Sequence, residues 1–170
     1  LATPYALETF RLIKQEFPDI IKCMSTNGLL LPEYAQEVID VGIDTLTVTV
    51  NALDPEIQAQ ICSGIVYHGK RYEGVEAAEI LIENQLKGIE IVSEAGITVK
   101  VNTVLIPEIN ADHIEAVAQT VAEAGARIYN IIPLIPQHEL SWCSVPGCAV
   151  LNQARCEAEA YIDVFRHCQR

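Results

Sequence analysis

The sequence is poor in basic and aromatic residues, and it contains no long apolar run. Only 11 Lys and Arg side chains stand against 23 Asp and Glu side chains, which gives a formal net charge of −12. This negative charge argues against nucleic acid and against an anionic membrane surface as partners. No apolar stretch approaches the roughly 20 residues that a membrane-spanning helix needs, and no signal peptide opens the sequence. We therefore expect a cytoplasmic protein.

Several common motifs of nucleotide-binding and hydrolytic enzymes are also missing. No GxGxxG follows a predicted strand and no GxxxxGK(S/T) occurs, so neither a dinucleotide-binding fold nor a P-loop fold is indicated. Because there is no GxSxG either, a Ser-His-Asp triad has no support.

Helical and strand patterns alternate along the chain. Helices are predicted over residues 4–17, 32–41, 75–95, 110–124 and 150–166, and strands over 20–26, 44–52, 97–106 and 126–136. Between the second and third strands, a short helix reaches Cys62 and an ordered loop continues to residue 74. This alternation predicts an α/β protein with parallel strands joined by right-handed crossovers. A barrel and an open doubly wound sheet both fit it.

The strand over residues 44–52 has one polar face, formed by Thr47, Thr49 and Asn51. A buried parallel strand is usually apolar on both faces, so the polar face indicates a polar cavity. Asn27 and Asn102 lie at the ends of two other predicted strands, each at a position that belongs to the polar face of its strand. In a parallel barrel the chemistry belongs at these strand ends. An Asn after a strand is also a common turn residue, and both interpretations stay open.

Lysine and cysteine supply two further candidates. Lys100 lies within the third strand, where its amine serves either a structural role or, in a cavity, a Schiff-base role in an aldolase-like barrel. Cys62 precedes a glycine-rich loop and is either a core residue or a ligand of iron or zinc. His68, six residues later, is either a second ligand or, as we expect, an ordinary loop histidine. Cys23 lies within a strand and is expected to pack in the core. The spacing of the last four cysteines matches no standard zinc or ferredoxin set.

Several blocks of the sequence resemble one family closely. The segments TVTVNA, ICSGIVYHGK, VNTVLIP, NIIPLIP and FRHC are similar to the NifB family, the radical S-adenosylmethionine (SAM) proteins of nitrogenase cofactor assembly. The resemblance implies a partial (β/α)6, TIM-like radical SAM barrel that is truncated at both ends. It places the barrel in residues 1–136 and a tail leading to a second cluster site in residues 137–170. The family's CxxxCxxC motif is absent from this sequence and is expected upstream, so the fragment alone is expected to be inactive.

The resemblance also implies roles for individual residues. Asn27, Thr49, Asn51 and Asn102 match SAM-contacting strand ends, and Cys62 matches a loop ligand of one of two substrate [4Fe-4S] clusters. Cys168 matches the first cysteine of the HCxxC motif that holds the other cluster. Three cysteines match no ligand position and are left as structural or incidental: Cys143, Cys148 and Cys156.

The implied reaction fuses two [4Fe-4S] clusters into an 8Fe precursor with a SAM-derived carbide, a lyase or transferase type of chemistry. One SAM donates a methyl group, and a 5′-deoxyadenosyl radical from a second abstracts hydrogen from it. The implied partners are Fe-S cluster donors, carrier or scaffold proteins of nitrogenase assembly, and an electron donor such as ferredoxin or flavodoxin. A non-catalytic Fe-S cluster carrier and the aldolase-like barrel remain the alternatives.

Overall fold

A five-stranded parallel sheet forms the centre of the protein. The computed structural model describes residues 4–166, and the strand order in this sheet is β1-β2-β5-β6-β7, while β3 and β4 pair as an antiparallel hairpin. The strands are β1 (Cys23–Thr26), β2 (Thr45–Thr49), β3 (Gly64–Tyr67), β4 (Lys70–Glu73), β5 (Thr98–Leu105), β6 (Ile128–Pro133) and β7 (Asp163–Val164). The helices are α1 (Pro4–Glu16), α2 (Leu31–Asp40), α3 (Pro55–Ile61), α4 (Gly74–Glu94), α5 (Ile114–Glu123) and α6 (Cys148–Ala158).

The two faces of the sheet differ as the alternation in β2 predicted. Leu46, Val48 and Val50 are fully buried on the apolar face, in one core with the inner faces of α2, α4 and α5. On the other face, Thr47 pairs in register with Lys100, and Thr49 pairs with Asn102. Because the strands are parallel, all their carboxyl ends meet at one edge of the sheet. The polar face therefore ends in a row of polar side chains at that edge.

Two elements differ from the prediction. Residues 64–73 form the hairpin β3–β4 and not a loop, since His68 and Gly69 both have positive φ (49° and 74°) and so make a two-residue turn that suits a hairpin. The last helix ends at Ala158 and not at residue 166. Beyond it Val164 pairs with Tyr129, so the chain adds a fifth strand to the sheet.

The segment after residue 136 packs on the same sheet as the rest of the chain. Ala154 and Ala158 of α6 and Ile162 before β7 are buried in the main core. The division into residues 1–136 and 137–170 stays a prediction. In the part of the chain that the structure describes, no helix is long and apolar enough to cross a membrane.

Candidate functional site

A cavity of about 550 Å³ lies where β1 and β2 end. The ends of these strands form one wall, and α3, β3 and α4 form the others. Its polar lining comes mainly from Asn27, Thr49, Asn51, Gln58, Cys62 and Gln85, and apolar residues such as Leu29, Ile65 and Leu81 complete it. None of the described residues that line this cavity carries a charge. The volume lies within the range of roughly 300–1,000 Å³ that small-molecule sites occupy.

Asn27 both makes a turn and lines the cavity. Its Oδ1 accepts a hydrogen bond from Leu29 N at 3.2 Å, which is the side-chain turn common after a strand. Gly28 follows with a φ of 85°, and its N–H donates to Thr26 Oγ1. The turn interpretation of Asn27 is therefore confirmed, and its contact with SAM stays a prediction.

Asn51 is tied to the neighbouring strand. Its Oδ1 accepts from Val104 N at 3.0 Å, and its main-chain oxygen accepts from Asn110 Nδ2 at 2.9 Å. The side chain of Asn110, the first residue of the helix predicted over residues 110–124, is fully buried and makes no capping bond. Its amide instead joins Asn51 to Val104 and Ile106 of the β5 side.

Asn102 shares the polar face with Thr49 but does not line the cavity. Its Oδ1 accepts from Asn130 Nδ2 at 3.0 Å. Lys100, two residues earlier, also lies outside the lining, and its Nζ is 5.9 Å from the ring centroid of Phe165. The structure thus places three of the four predicted SAM-contacting residues, Asn27, Thr49 and Asn51, around one cavity.

Cys62 reaches the cavity because of the way α3 begins and ends. Asp54 accepts from Glu56 N and Ile57 N and so caps the helix before Pro55, while His113 Nε2 accepts from Asp54 N at 3.3 Å. Cys62 follows the last turn, four residues after Gln58 and on the same face. The thiol is half-buried, and its Sγ donates to Gly64 O at 3.4 Å.

The other candidate ligands do not join Cys62. His68 lies in the hairpin turn with its Nε2 3.2 Å from Glu33 Oε1, which matches the ordinary loop histidine. Cys168 lies outside the described residues. Within residues 4–166, no group of three or more His, Cys, Asp or Glu side chains is arranged to hold a metal ion.

The remaining cysteines are separate from the cavity. Cys23 is exposed, so its predicted place in the core is wrong; it is the first residue of the edge strand β1, on the side opposite Met24. Cys143 is buried beside Ile106 and Leu134, and this burial raises the pKa of its thiol, to which the charge of Glu108 adds. A thiol buried among apolar side chains in this way suits packing.

Gln58 and Gln85 were missed by sequence reasoning. Each is only 2 % exposed. Gln85 Nε2 donates to Asn27 O at 2.8 Å and to Thr49 O at 2.7 Å, so α4 fastens the ends of β1 and β2 together. The signal was present, because Gln85 interrupts the apolar stripe of α4 between Ile82 and Ile89.

The lining suits SAM and does not suit a resident iron-sulfur cluster. Hydroxyl, amide and apolar groups without charge match a nucleoside with its hydroxyl and amino groups. A [4Fe-4S] cluster of the radical-generating kind is held by several thiolates, and of the described cysteines Cys62 alone lines the cavity. The residues present therefore fit SAM as a ligand, and they do not form the radical-generating cluster site.

Comparisons with known proteins agree on one family. The model of the Radical SAM superfamily matches residues 1–121. The FeMo cofactor biosynthesis protein NifB of Methanocaldococcus infernus is 45 % identical over 161 residues, which cover 95 % of this chain and 53 % of that protein. NifB of Bradyrhizobium diazoefficiens is 41 % identical over 177 residues, which cover all of this chain and 36 % of that protein. The chain thus spans about half the length of the first of these relatives and about a third of the length of the second.

A solved structure supports the fold. A domain of pyruvate-formate lyase-activating enzyme from Bacteroides vulgatus superposes with a TM-score of 0.67 at 20 % identity, covering 95 % of this chain and 88 % of that one. The predicted α/β partial barrel is confirmed by this likeness and by the parallel sheet. With more than half of its residues matched by the family model, the chain belongs to the Radical SAM superfamily.

Proposed function

We propose that this chain is the SAM- and cluster-binding part of a nitrogenase cofactor biosynthesis enzyme. The enzyme fuses two [4Fe-4S] clusters, with insertion of a SAM-derived carbide, into the 8Fe precursor. One observation carries the proposal: residues predicted to contact SAM and a cysteine predicted to bind a substrate cluster line the same cavity. The relatives named as FeMo cofactor biosynthesis proteins support it.

In this proposal Thr49 and Asn51 contact SAM from the end of β2, Asn27 from the end of β1 and Asn102 from the adjacent strand β5. The register places Asn102 directly beside Thr49, which supports a contact of one ligand with both residues although Asn102 does not itself line the cavity. SAM and [4Fe-4S] clusters are the cofactors of the superfamily. When bound, SAM supplies the methyl group that becomes the carbide and the radical chemistry that activates it.

Cys62 is the proposed ligand of one substrate cluster, and Cys168 of the other. Soft thiolate sulfur suits iron-sulfur clusters, and a thiol must lose its proton to ligate. The Sγ of Cys62 is bonded only weakly, to Gly64 O at 3.4 Å, so little is lost when that bond is given up. The ligand position next to the SAM-binding strand ends brings the substrate cluster close to the methyl donor.

The finer features are proposed on the same basis. The enzyme is of the lyase or transferase type, and this part alone is inactive because its sequence lacks the CxxxCxxC motif that binds the family's radical-generating cluster. It works in the cytoplasm with Fe-S cluster donors, carrier or scaffold proteins of nitrogenase assembly, and ferredoxin or flavodoxin as electron donor. No observation favours the aldolase-like alternative, since Lys100 does not line the cavity.

The test is the iron content of the protein at its full length, reconstituted anaerobically. Cys62→Ala should lower the bound iron by one cluster's worth and remove the matching EPR signal, because the thiolate that holds one substrate cluster is gone. Cys148→Ala is the matched control, since Cys148 is exposed and does not line the cavity. Unchanged iron in Cys62→Ala, or an equal loss in Cys148→Ala, would contradict the assignment.

A further inference from the structure

One glutamine of α3 is buried at the cavity without a hydrogen bond from its side chain. Gln58 is the one fully buried residue of this helix, and it lines the cavity. Its carboxamide makes no hydrogen bond within residues 4–166. A buried polar group without a partner costs free energy, so such groups are rare in folded proteins. Gln58 is therefore a candidate for contact with a bound group.

The two ends of this carboxamide differ in their access to the cavity. The oxygen, Oε1, is fully enclosed by the protein. The nitrogen, Nε2, is not enclosed in this way, so it is the accessible end of the amide. An amide nitrogen carries two hydrogens and only donates. Gln58 therefore offers the cavity a hydrogen-bond donor and not an acceptor.

This donor lies one helical turn before Cys62. The N–H of Cys62 donates to Gln58 O at 2.9 Å, so the two residues keep the spacing of the helix. Side chains four positions apart lie on the same face of a helix, with their Cβ atoms about 5–6 Å apart. Both side chains line the cavity. The amide of Gln58 is thus adjacent to the group that the Cys62 thiolate binds.

An iron-sulfur cluster suits a donor at this place. The sulfides and thiolates of a cluster are acceptors, and hydrogen bonds to them help to set the reduction potential. A donor favours the reduced cluster, because the added electron increases the negative charge on the sulfur atoms. None of the described lining residues carries a charge, so dipolar groups such as this amide are what offsets the added electron.

We propose that Nε2 of Gln58 donates a hydrogen bond to a sulfur atom of the substrate cluster that Cys62 ligates, and thereby raises the reduction potential of that cluster. This inference rests on the proposed function, since it takes Cys62 as a ligand of a substrate cluster. The two residues then divide the work: Cys62 holds the cluster, and Gln58 sets how readily it accepts an electron.

The first experiment is a reductive titration with dithionite of the full-length, anaerobically reconstituted protein, followed by EPR. The signal to follow is the one that Cys62→Ala removes. Gln58→Met keeps the size of the side chain and removes the donor. At a fixed potential the ratio of reduced to oxidised cluster should therefore fall about three- to tenfold, which lowers the midpoint by about 28 to 59 mV for one electron. Gln60→Met is the matched control, on the same helix but exposed, and should keep the wild-type potential.

The second experiment detects the hydrogen bond itself. Pulsed EPR of the reduced protein, labelled with nitrogen-15 in its glutamine amides, should show a weak coupling between the cluster and an amide nitrogen. This coupling should be lost in Gln58→Met and kept in Gln60→Met. Gln58→Leu also lacks the donor, and it takes the place of Gln58→Met in both experiments if Gln58→Met does not fold.

Three results would overturn the inference. The first is a wild-type cluster potential in Gln58→Met or Gln58→Leu, and the second is loss of the cluster iron in both variants, which would give Gln58 a structural role. The third is weaker SAM binding in equilibrium dialysis at an unchanged cluster potential, which would assign the donor to SAM. If Cys62→Ala removes no EPR signal, the proposed function itself fails, so the two failures are distinguishable.

Discussion

Two buried carboxamides at the same edge of the sheet, Asn110 and Gln85, are used differently. The nitrogen of Asn110 donates to Asn51 O and Val104 O, both at 2.9 Å, and its oxygen accepts from Ile106 N at 2.8 Å. Its hydrogen-bonding groups are thus all engaged within the protein. We call this region, on the β5 side, the closed region, because its buried carboxamide is fully hydrogen-bonded.

We call the region around Gln85 the open region, because it borders the cavity and its buried carboxamide is only partly hydrogen-bonded. Its nitrogen also joins two strand-end carbonyls, those of Asn27 and Thr49, but its oxygen has no partner in the part of the chain that the structure describes. The same chemical group therefore uses all its hydrogen-bonding atoms at one place and leaves its oxygen unbonded at the other. The less fully bonded side of the strand ends is the side that borders the cavity.

The largest effect is expected for Asn110→Ala. This change leaves two carbonyl oxygens and one N–H without their partner, and it should lower the free energy of unfolding by about 3–5 kcal/mol. Urea denaturation measures it. Asn152→Ala in α6 is the control, because Asn152 is exposed, and it should change stability by less than about 0.5 kcal/mol. A loss below about 1 kcal/mol for Asn110→Ala would show that the closed region is not held by this side chain.

A smaller effect is expected where the open region meets Gly28. The φ of Gly28 is 85°, and a Cβ there would lie 2.6 Å from Gln85 Cγ and 3.1 Å from Val48 Cγ1. Gly28→Ala should therefore cost about 1–2 kcal/mol for the left-handed backbone and about 1–3 kcal/mol more for the clash. It should also weaken SAM binding, since Gln85 must move.

Gly96→Ala is the matched control for this change. The φ of Gly96 is 89°, and a Cβ there would meet nothing within 4 Å. Gly96→Ala should therefore show the backbone cost alone, about 1–2 kcal/mol, and bind SAM normally. Equal losses of stability in the two variants, with equal SAM affinity, would mean that Gln85 is not confined as the structure indicates.

The sequence predicted the frame of the site well. The alternation of Leu46, Val48 and Val50 with Thr47 and Thr49 is a local pattern, and the structure places these residues on opposite faces of β2. The order of helices and strands indicated the edge at which strand ends meet. These features depend on the spacing of polar and apolar residues along the chain, which a sequence shows directly.

The details of the cavity wall were not predictable in the same way. Gln85 is 36 and 58 positions from the two residues whose carbonyls it joins, Thr49 and Asn27, and no local pattern shows that these atoms converge. The hairpin β3–β4 depends on positive φ at His68, a residue that rarely signals such a turn. Asn102 lies on the polar face as the alternation predicted, but its side chain accepts a hydrogen bond from Asn130, which the alternation alone does not reveal.

The most direct test of the central claim is a crystal structure of the full-length, reconstituted protein with SAM bound. The account predicts SAM in the cavity at the ends of β1 and β2, in contact with Asn27, Thr49 and Asn51, and Cys62 Sγ bound to cluster iron. SAM at the Asn102–Asn130 side alone, with water in the cavity and Cys62 unligated, would contradict it.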